Sequence, residues 1–159
     1  MQPLENEFQT KITQANQQYH RLILILNHDT RVKSDVFNKI AEQLSLGYIN
    51  LGLELSQRLL NLTERQRTLR LSQVVEQIIN KFSKETPVIL DHIEILFDPS
   101  LKVDPLRLIR GLSRDQTLIA VWKGHITNGY LTYAIPEHPE YHKYPIQDLN
   151  FINADDLLT

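Results

Sequence analysis

The stretch Arg21 to Leu44, RLILILNHDTRVKSDVFNKIAEQL, constrains the fold more than any other part of the chain. Leu22 to Leu26 is an unbroken apolar run of strand length, whereas Val36, Phe37, Ile40, Ala41 and Leu44 recur at helical spacing. The hydrophobic period therefore switches across residues 27–34, which predicts a buried strand, a loop and an amphipathic helix in that order. This is the frame of a phosphate-binding P-loop. Laid on G-x-x-x-x-G-K-[ST], the loop places Asn27 and Val32 at the two glycines and matches the last two positions with Lys33 and Ser34. The glycines matter because the loop must turn successive backbone N–H groups inward around an anion, along dihedrals that glycine adopts freely. Asn27 tolerates a left-handed conformation, β-branched Val32 is a poor substitute, and Asp29 adds a negative charge inside the cradle. In favour of phosphate binding stand Lys33, the Ser34 hydroxyl as a magnesium ligand, and the partial positive charge of the helix start. The candidate nucleotide contacts are Asn27, Arg31, Val32, Lys33 and Ser34, and the alternative is an ordinary strand-to-helix turn with a solvated lysine.

A second feature turns this loop into a constellation. Val88-Ile89-Leu90-Asp91 is an apolar strand ending in a carboxylate, the form of a Walker B strand, so Asp91 is expected to face the loop and share Mg²⁺ with Ser34. The position after it, where a water-polarising Glu is common, is His92; Glu94 could serve only if the chain turns sharply there. Arg110 and Arg114 precede the next strand, residues 117–122, and either is a candidate to reach the phosphates, Arg114 as a catalytic group. A solvated or capping role is the alternative for each.

The rest of the chain reads as one α/β domain over residues 1–159: an N-terminal helix within 1–20, a core at 21–135 with a mainly parallel central sheet of three-layer, additional-strand (AAA-like) P-loop type, and an extended segment at 136–159. Leu4, Phe8, Ile12, Ala15 and Tyr19 form the stripe of the first helix. Gly47 is expected to close the second, and residues 48–55 alternate as a strand. Thr63 to Gln66 resembles a capping box for a helix with Leu69, Leu71, Val74, Val75, Ile78, Ile79 and Phe82 on its core face. Asn128-Gly129 between strand formers is a hairpin signal, the Pro-rich residues 135–146 read as surface loop, 149–152 as a short last strand, and 155–158 as a frayed end. His138 and His142 are four apart, but Pro139 between them opposes a helical metal pair.

Composition excludes several classes. With no cysteine there is no disulfide, thiolate metal site or Cys nucleophile; the net charge of −2 gives no general attraction to nucleic acid or anionic lipid. The absence of a membrane-length apolar run or a signal-like N-terminus leads to the expectation of a cytoplasmic protein without membrane association. Arg58, Arg65, Arg67 and Arg70 give one region a basic cast, a weak pointer to DNA against the simpler reading of a solvated helix face.

Three long stretches, YINLGLELSQRLL, LDHIEILFDPSLKVDPLRLIRGLSRDQT and AVWKG with LTYAIPEHPEYHKY, resemble the BrxF family, the small P-loop proteins of type 3 bacteriophage-exclusion (BREX) systems. The resemblance runs from Arg21 to Tyr144. It implies a P-loop NTPase fold and a cytoplasmic role in antiviral defence beside a DNA methyltransferase, a helicase-like ATPase and a phosphatase-like protein, with other BREX subunits as partners and DNA reached only indirectly. By position Lys33, Ser34 and Asp91 match the family's motif, while Asn27 and Val32 depart from its glycines. The resulting expectation is a defence subunit that binds ATP and Mg²⁺ weakly or conditionally. Its alternatives are a nucleotide-independent assembly domain and an ATPase completed by partners or by an arginine from another copy in a homo-oligomer.

Overall fold

The structure, a computed structural model, describes residues 3–28, 32–134 and 137–158. Strands β1 (Leu22–Leu26), β3 (Val88–Asp91) and β4 (Leu118–Trp122) are apolar at nearly every position because both of their faces are covered. With β2 (Gly47–Asn50) and β8 (Asn150–Asn153) they form a five-stranded sheet in the order β2-β3-β4-β1-β8, every pair parallel. Alternation along each strand sorts the side chains into two cores. Ile23, Ile25, Ile89, Ile119 and Val121 pack under α1 (Pro3–Ala15) and α2 (Ser34–Leu44). Leu22, Leu24, Val88, Leu90, Leu118, Ala120 and Trp122 face α3 (Leu51–Leu59), α4 (Glu64–Ile79) and α5 (Pro105–Leu112). The expected three-layer α/β arrangement with a parallel central sheet is thus observed. Among the described residues no helix is long and apolar enough to cross a membrane.

A separate antiparallel sheet, β5 (Gly124–Thr127), β6 (Tyr130–Tyr133) and β7 (His142–Pro145), leans on the second core through Leu131 and Tyr133. The predicted hairpin is present: Asn128 (φ 52°) and Gly129 (φ 81°) both take the left-handed conformation that a two-residue turn of matching twist demands. Trp122, at the end of β4, joins the sheets by donating its indole N–H to the Thr132 carbonyl at 2.9 Å. Gly124 makes that approach possible, since a Cβ there would lie 1.8 Å from the Thr132 oxygen.

Several expectations are corrected. Residues 48–55 are not one strand: β2 stops at Asn50, whose side chain accepts from Leu53 N and starts α3. Leu51, Leu55 and Leu59 are its buried face, so Leu51 and Leu55 satisfied a two-residue and a four-residue period at once, while Leu53 between them is exposed. Helix α2 ends at Ser45 in the left-handed conformation, and Gly47 instead begins β2, pressed against the Phe82 ring. Tyr19 lies beyond the end of α1 and is 65% exposed; Leu69, assigned to the core face of α4, is 74% exposed, although the capping box at Thr63 and Gln66 forms as expected. Part of the Pro-rich segment is β7. The tail is not frayed, for residues 154–158 form a 3-10 turn that buries Leu157. Strand β8 pairs with β1, so the C-terminal segment completes the central sheet.

Candidate functional site

Parallel strands deliver their C-terminal ends to one edge, and the loops leaving that edge gather the polar side chains. Asp91 ends β3 and is 2% exposed. Its two oxygens are occupied: Oδ1 accepts from the His92 backbone N–H at 2.9 Å and Oδ2 from the Tyr48 hydroxyl at 2.6 Å. His92 then takes a left-handed backbone (φ 57°, ψ 50°), a conformation uncommon for a residue with a side chain and one that clusters at functional sites. This is the sharp turn that the sequence required for Glu94 to approach. The turn is crowded from outside by α3, where a Cβ on Gly52 would lie 3.2 Å from the His92 Cβ and carbonyl oxygen.

The turned imidazole bridges the two predicted magnesium ligands. His92 Nε2 lies 3.0 Å from Ser34 Oγ and 3.8 Å from Asp91 Oδ2, while Nδ1 faces Glu94 Oε1 at 3.6 Å. A carboxylate lies near each ring nitrogen, and Nε2 accepts from the Ser34 hydroxyl when the proton is on Nδ1 and donates to Ser34 Oγ when it is on Nε2. Glu94 is held in turn by an ion pair with Lys123. Ser34 and Asp91 are therefore brought to one place, as expected, although their parent strands are separated by β4.

The loop itself departs from an anion cradle in a definite way. Asn27 is 2% exposed; its Nδ2 donates to the Val32 carbonyl at 2.9 Å and its Oδ1 accepts from the Val32 N–H at 3.2 Å. The two positions that depart from glycine are thus bonded to each other. Val32, 1% exposed, fills the core between α1 and α2. One N–H that a wrapped phosphate would need is consumed internally. Among the described residues, the Ser34 and Asp35 N–H groups at the start of α2 meet no protein acceptor, and the exposed Lys33, N-cap of α2, forms no salt bridge. Arg31 and Asp29 lie outside the described residues.

Arg110 and Arg114 stand at the other end of the sheet, before the start of β4, so neither reaches Ser34 or Asp91 within one chain. Arg67, in the region considered for DNA, is spent on structure: its Nε donates to the carbonyls of Leu59, the last residue of α3, and Leu62 beyond it. Tyr48, His92 and Lys123 escaped the sequence reading. The only signal was a hydroxyl-bearing ring in a strand and a histidine in the Glu position.

Burial, then the Asp91 hydrogen bond and charge, push the Tyr48 hydroxyl well above its ordinary value of 10.0. Burial likewise leads for Tyr133, with the charges of Glu94 and Glu140 behind it, pushing it up to about 12. A proton held more tightly in the folded state stabilises it fully below the unfolded value and ceases to do so as pH rises through the folded one. Stability is accordingly expected to fall as pH climbs from 10.0 towards about 12, with a shallower fall in Tyr133→Phe, measured as urea midpoints across that window.

The donor set suits magnesium, for a hydroxyl and a carboxylate are hard oxygen ligands. Of the groups an anion cradle would need, Lys33 and two helix-start N–H groups remain without a protein partner among the described residues. Compared with known proteins, the chain matches no protein-family model and no curated protein.

Proposed function

We propose that this chain is a P-loop-fold subunit that takes up a magnesium nucleotide weakly and conditionally, and acts through a bacteriophage-exclusion complex. The observation that carries the nucleotide reading is the convergence of Ser34 and Asp91 at one sheet edge from strands separated by a third. That strand order, with β4 between the Lys-Ser strand and the Asp strand and the last strand on the far side of β1, is the order of the additional-strand P-loop class. The defence role rests on the three resembling stretches.

In this reading Lys33 and the N–H groups of Ser34 and Asp35 hold the phosphates, and Ser34 and Asp91 hold the metal. Bound magnesium would supply charge neutralisation of the phosphates. Asp91 Oδ2 already accepts from Tyr48 and the His92 ring stands 3.0 Å from Ser34 Oγ, so a metal competes with Tyr48 for the carboxylate and with the ring for room at the hydroxyl. That competition explains weak affinity. It also makes binding a switch, because His92 forms the turn that packs on Gly52 of α3 and displacing it moves a surface a partner can read. Turnover is expected to be slow, since Glu94 is committed to Lys123 and no carboxylate follows Asp91 directly.

The satisfied network around Asp91 favours a second reading, a domain that keeps the fold for assembly alone. Calorimetric titration of Mg-ATP separates the two. The proposal predicts weak heat that Lys33→Ala abolishes; no heat from either protein at concentrations revealing millimolar affinity overturns it.

A further inference from the structure

At the end of the sheet opposite Ser34 and Asp91, three adjoining concavities of about 580, 320 and 500 Å³ open between the end of α1, the approach to β1 and helix α5. Tyr19, His20, Arg110 and Arg114 each line two of the three, and Arg107 of α5 and Tyr144 of β7 line the last. Arg107 and Arg110 are three residues apart on one helix and so lie on the same side of it, with Arg114 continuing the row past its end. Among the described residues none of these guanidiniums is in a salt bridge. The acidic groups nearby are largely spoken for: Asp104 accepts from the Tyr144 hydroxyl at 2.8 Å and from the Arg107 backbone N–H at 3.2 Å, and Asp115 pairs with Lys84 at 3.5 Å. Glu76, Asp115 and Asp148 line the other two hollows, so the positive surplus is confined to the hollow along α5, where Arg107, Arg110 and Arg114 face Asp104 alone.

The second component is aromatic. Tyr19 is 65% exposed, the Arg114 guanidinium lies over its ring at 4.7 Å, and the His20 ring meets its edge at 4.8 Å. A large ring left in solvent beside unpaired arginines is an arrangement on which an unpaired base stacks while its neighbours' phosphates reach the cations. A duplex hides its base faces and offers no equivalent. We propose that this pole binds single-stranded nucleic acid, with Arg107, Arg110 and Arg114 on successive phosphates and Tyr19 with Arg114 as the stacking platform. The site is independent of the nucleotide reading, being built at the other end of the sheet.

The test is fluorescence anisotropy of a dye-labelled oligothymidylate of about 20 nucleotides, titrated with the full chain. Three phosphate contacts on a single strand predict an affinity loss of roughly 20-fold between about 50 and about 200 mM salt. Tyr19→Ala is expected to weaken binding about tenfold, and Arg107→Ala/Arg114→Ala is expected to weaken it further and flatten the salt dependence. Arg58→Ala/Arg65→Ala removes the same charge from the exposed surface elsewhere and is expected to bind as the native chain does. Circular dichroism identical to that of the native chain establishes that each variant is folded. No anisotropy change at the lower salt, an equal loss in the Arg58/Arg65 pair, or duplex of the same length binding as tightly as the single strand overturns the proposal.

Discussion

Trp122→Ala is expected to cost about 4 kcal/mol of stability, the largest loss from any single truncation at the junction of the two sheets. Trp122 is fully buried and is the largest side chain in the core. Its ring meets Phe97 (5.3 Å), Tyr133 (6.1 Å) and Tyr144 (5.9 Å) edge to face, the geometry in which aromatic pairs attract beyond their buried area. Truncation leaves a cavity too well braced to collapse, since Phe97 is itself stacked on Tyr133 at 3.7 Å. It also strands the Thr132 carbonyl, whose partner is the indole N–H. Urea unfolding reads the loss as a lowered midpoint, and Trp122→Phe, which retains a ring but not the donor, is expected to fall between the two. A loss below about 1 kcal/mol in the alanine variant would show that the antiparallel sheet does not depend on this residue.

The second large effect belongs to the loop. Asn27→Ala removes both bonds to Val32 and leaves a buried N–H and a buried carbonyl without partners, for an expected loss of about 3 kcal/mol. The side chain removed is small, so the effect comes from polar groups left dry rather than from lost packing. Native-state hydrogen exchange gives the local signature: the Val32 amide, protected in the native chain, is expected to exchange fast in the variant, ahead of global unfolding. Unchanged protection there would mean that the loop is closed by something other than the Asn27 amide.

This pair of residues also shows where sequence reasoning reached its end. Asn27 and Val32 were legible as departures from glycine, but a pattern of permitted dihedrals has no way to express that one side chain stands in for the turn by bonding across it. The central strands were legible because β1, β3 and β4 are covered on both faces and carry almost no polar residue. Helix α3 was not, because leucines at 51, 53 and 55 fit a strand as well, and only the Asn50 cap decides between them. Ser34 and Asp91 were found by spacing within their own elements. Tyr48 and Lys123 join them only through tertiary contacts of β2 and the end of β4, and His92, although it follows Asp91 in the chain, reaches Ser34 only through its left-handed turn. Arg114 was placed with the phosphates because it adjoins a core strand, yet a residue before a parallel strand sits at the wrong end of the sheet for that site.

Paramagnetic broadening by Mn-ATP, followed by NMR on the labelled chain, locates a weakly bound metal nucleotide without requiring tight affinity. Signals of Ser34, Tyr48 and His92 are expected to broaden first and together, at lower Mn-ATP than those of Arg110 and Arg114. Broadening centred elsewhere, or none at saturating Mn-ATP, would contradict a nucleotide site at the edge where Ser34 and Asp91 meet.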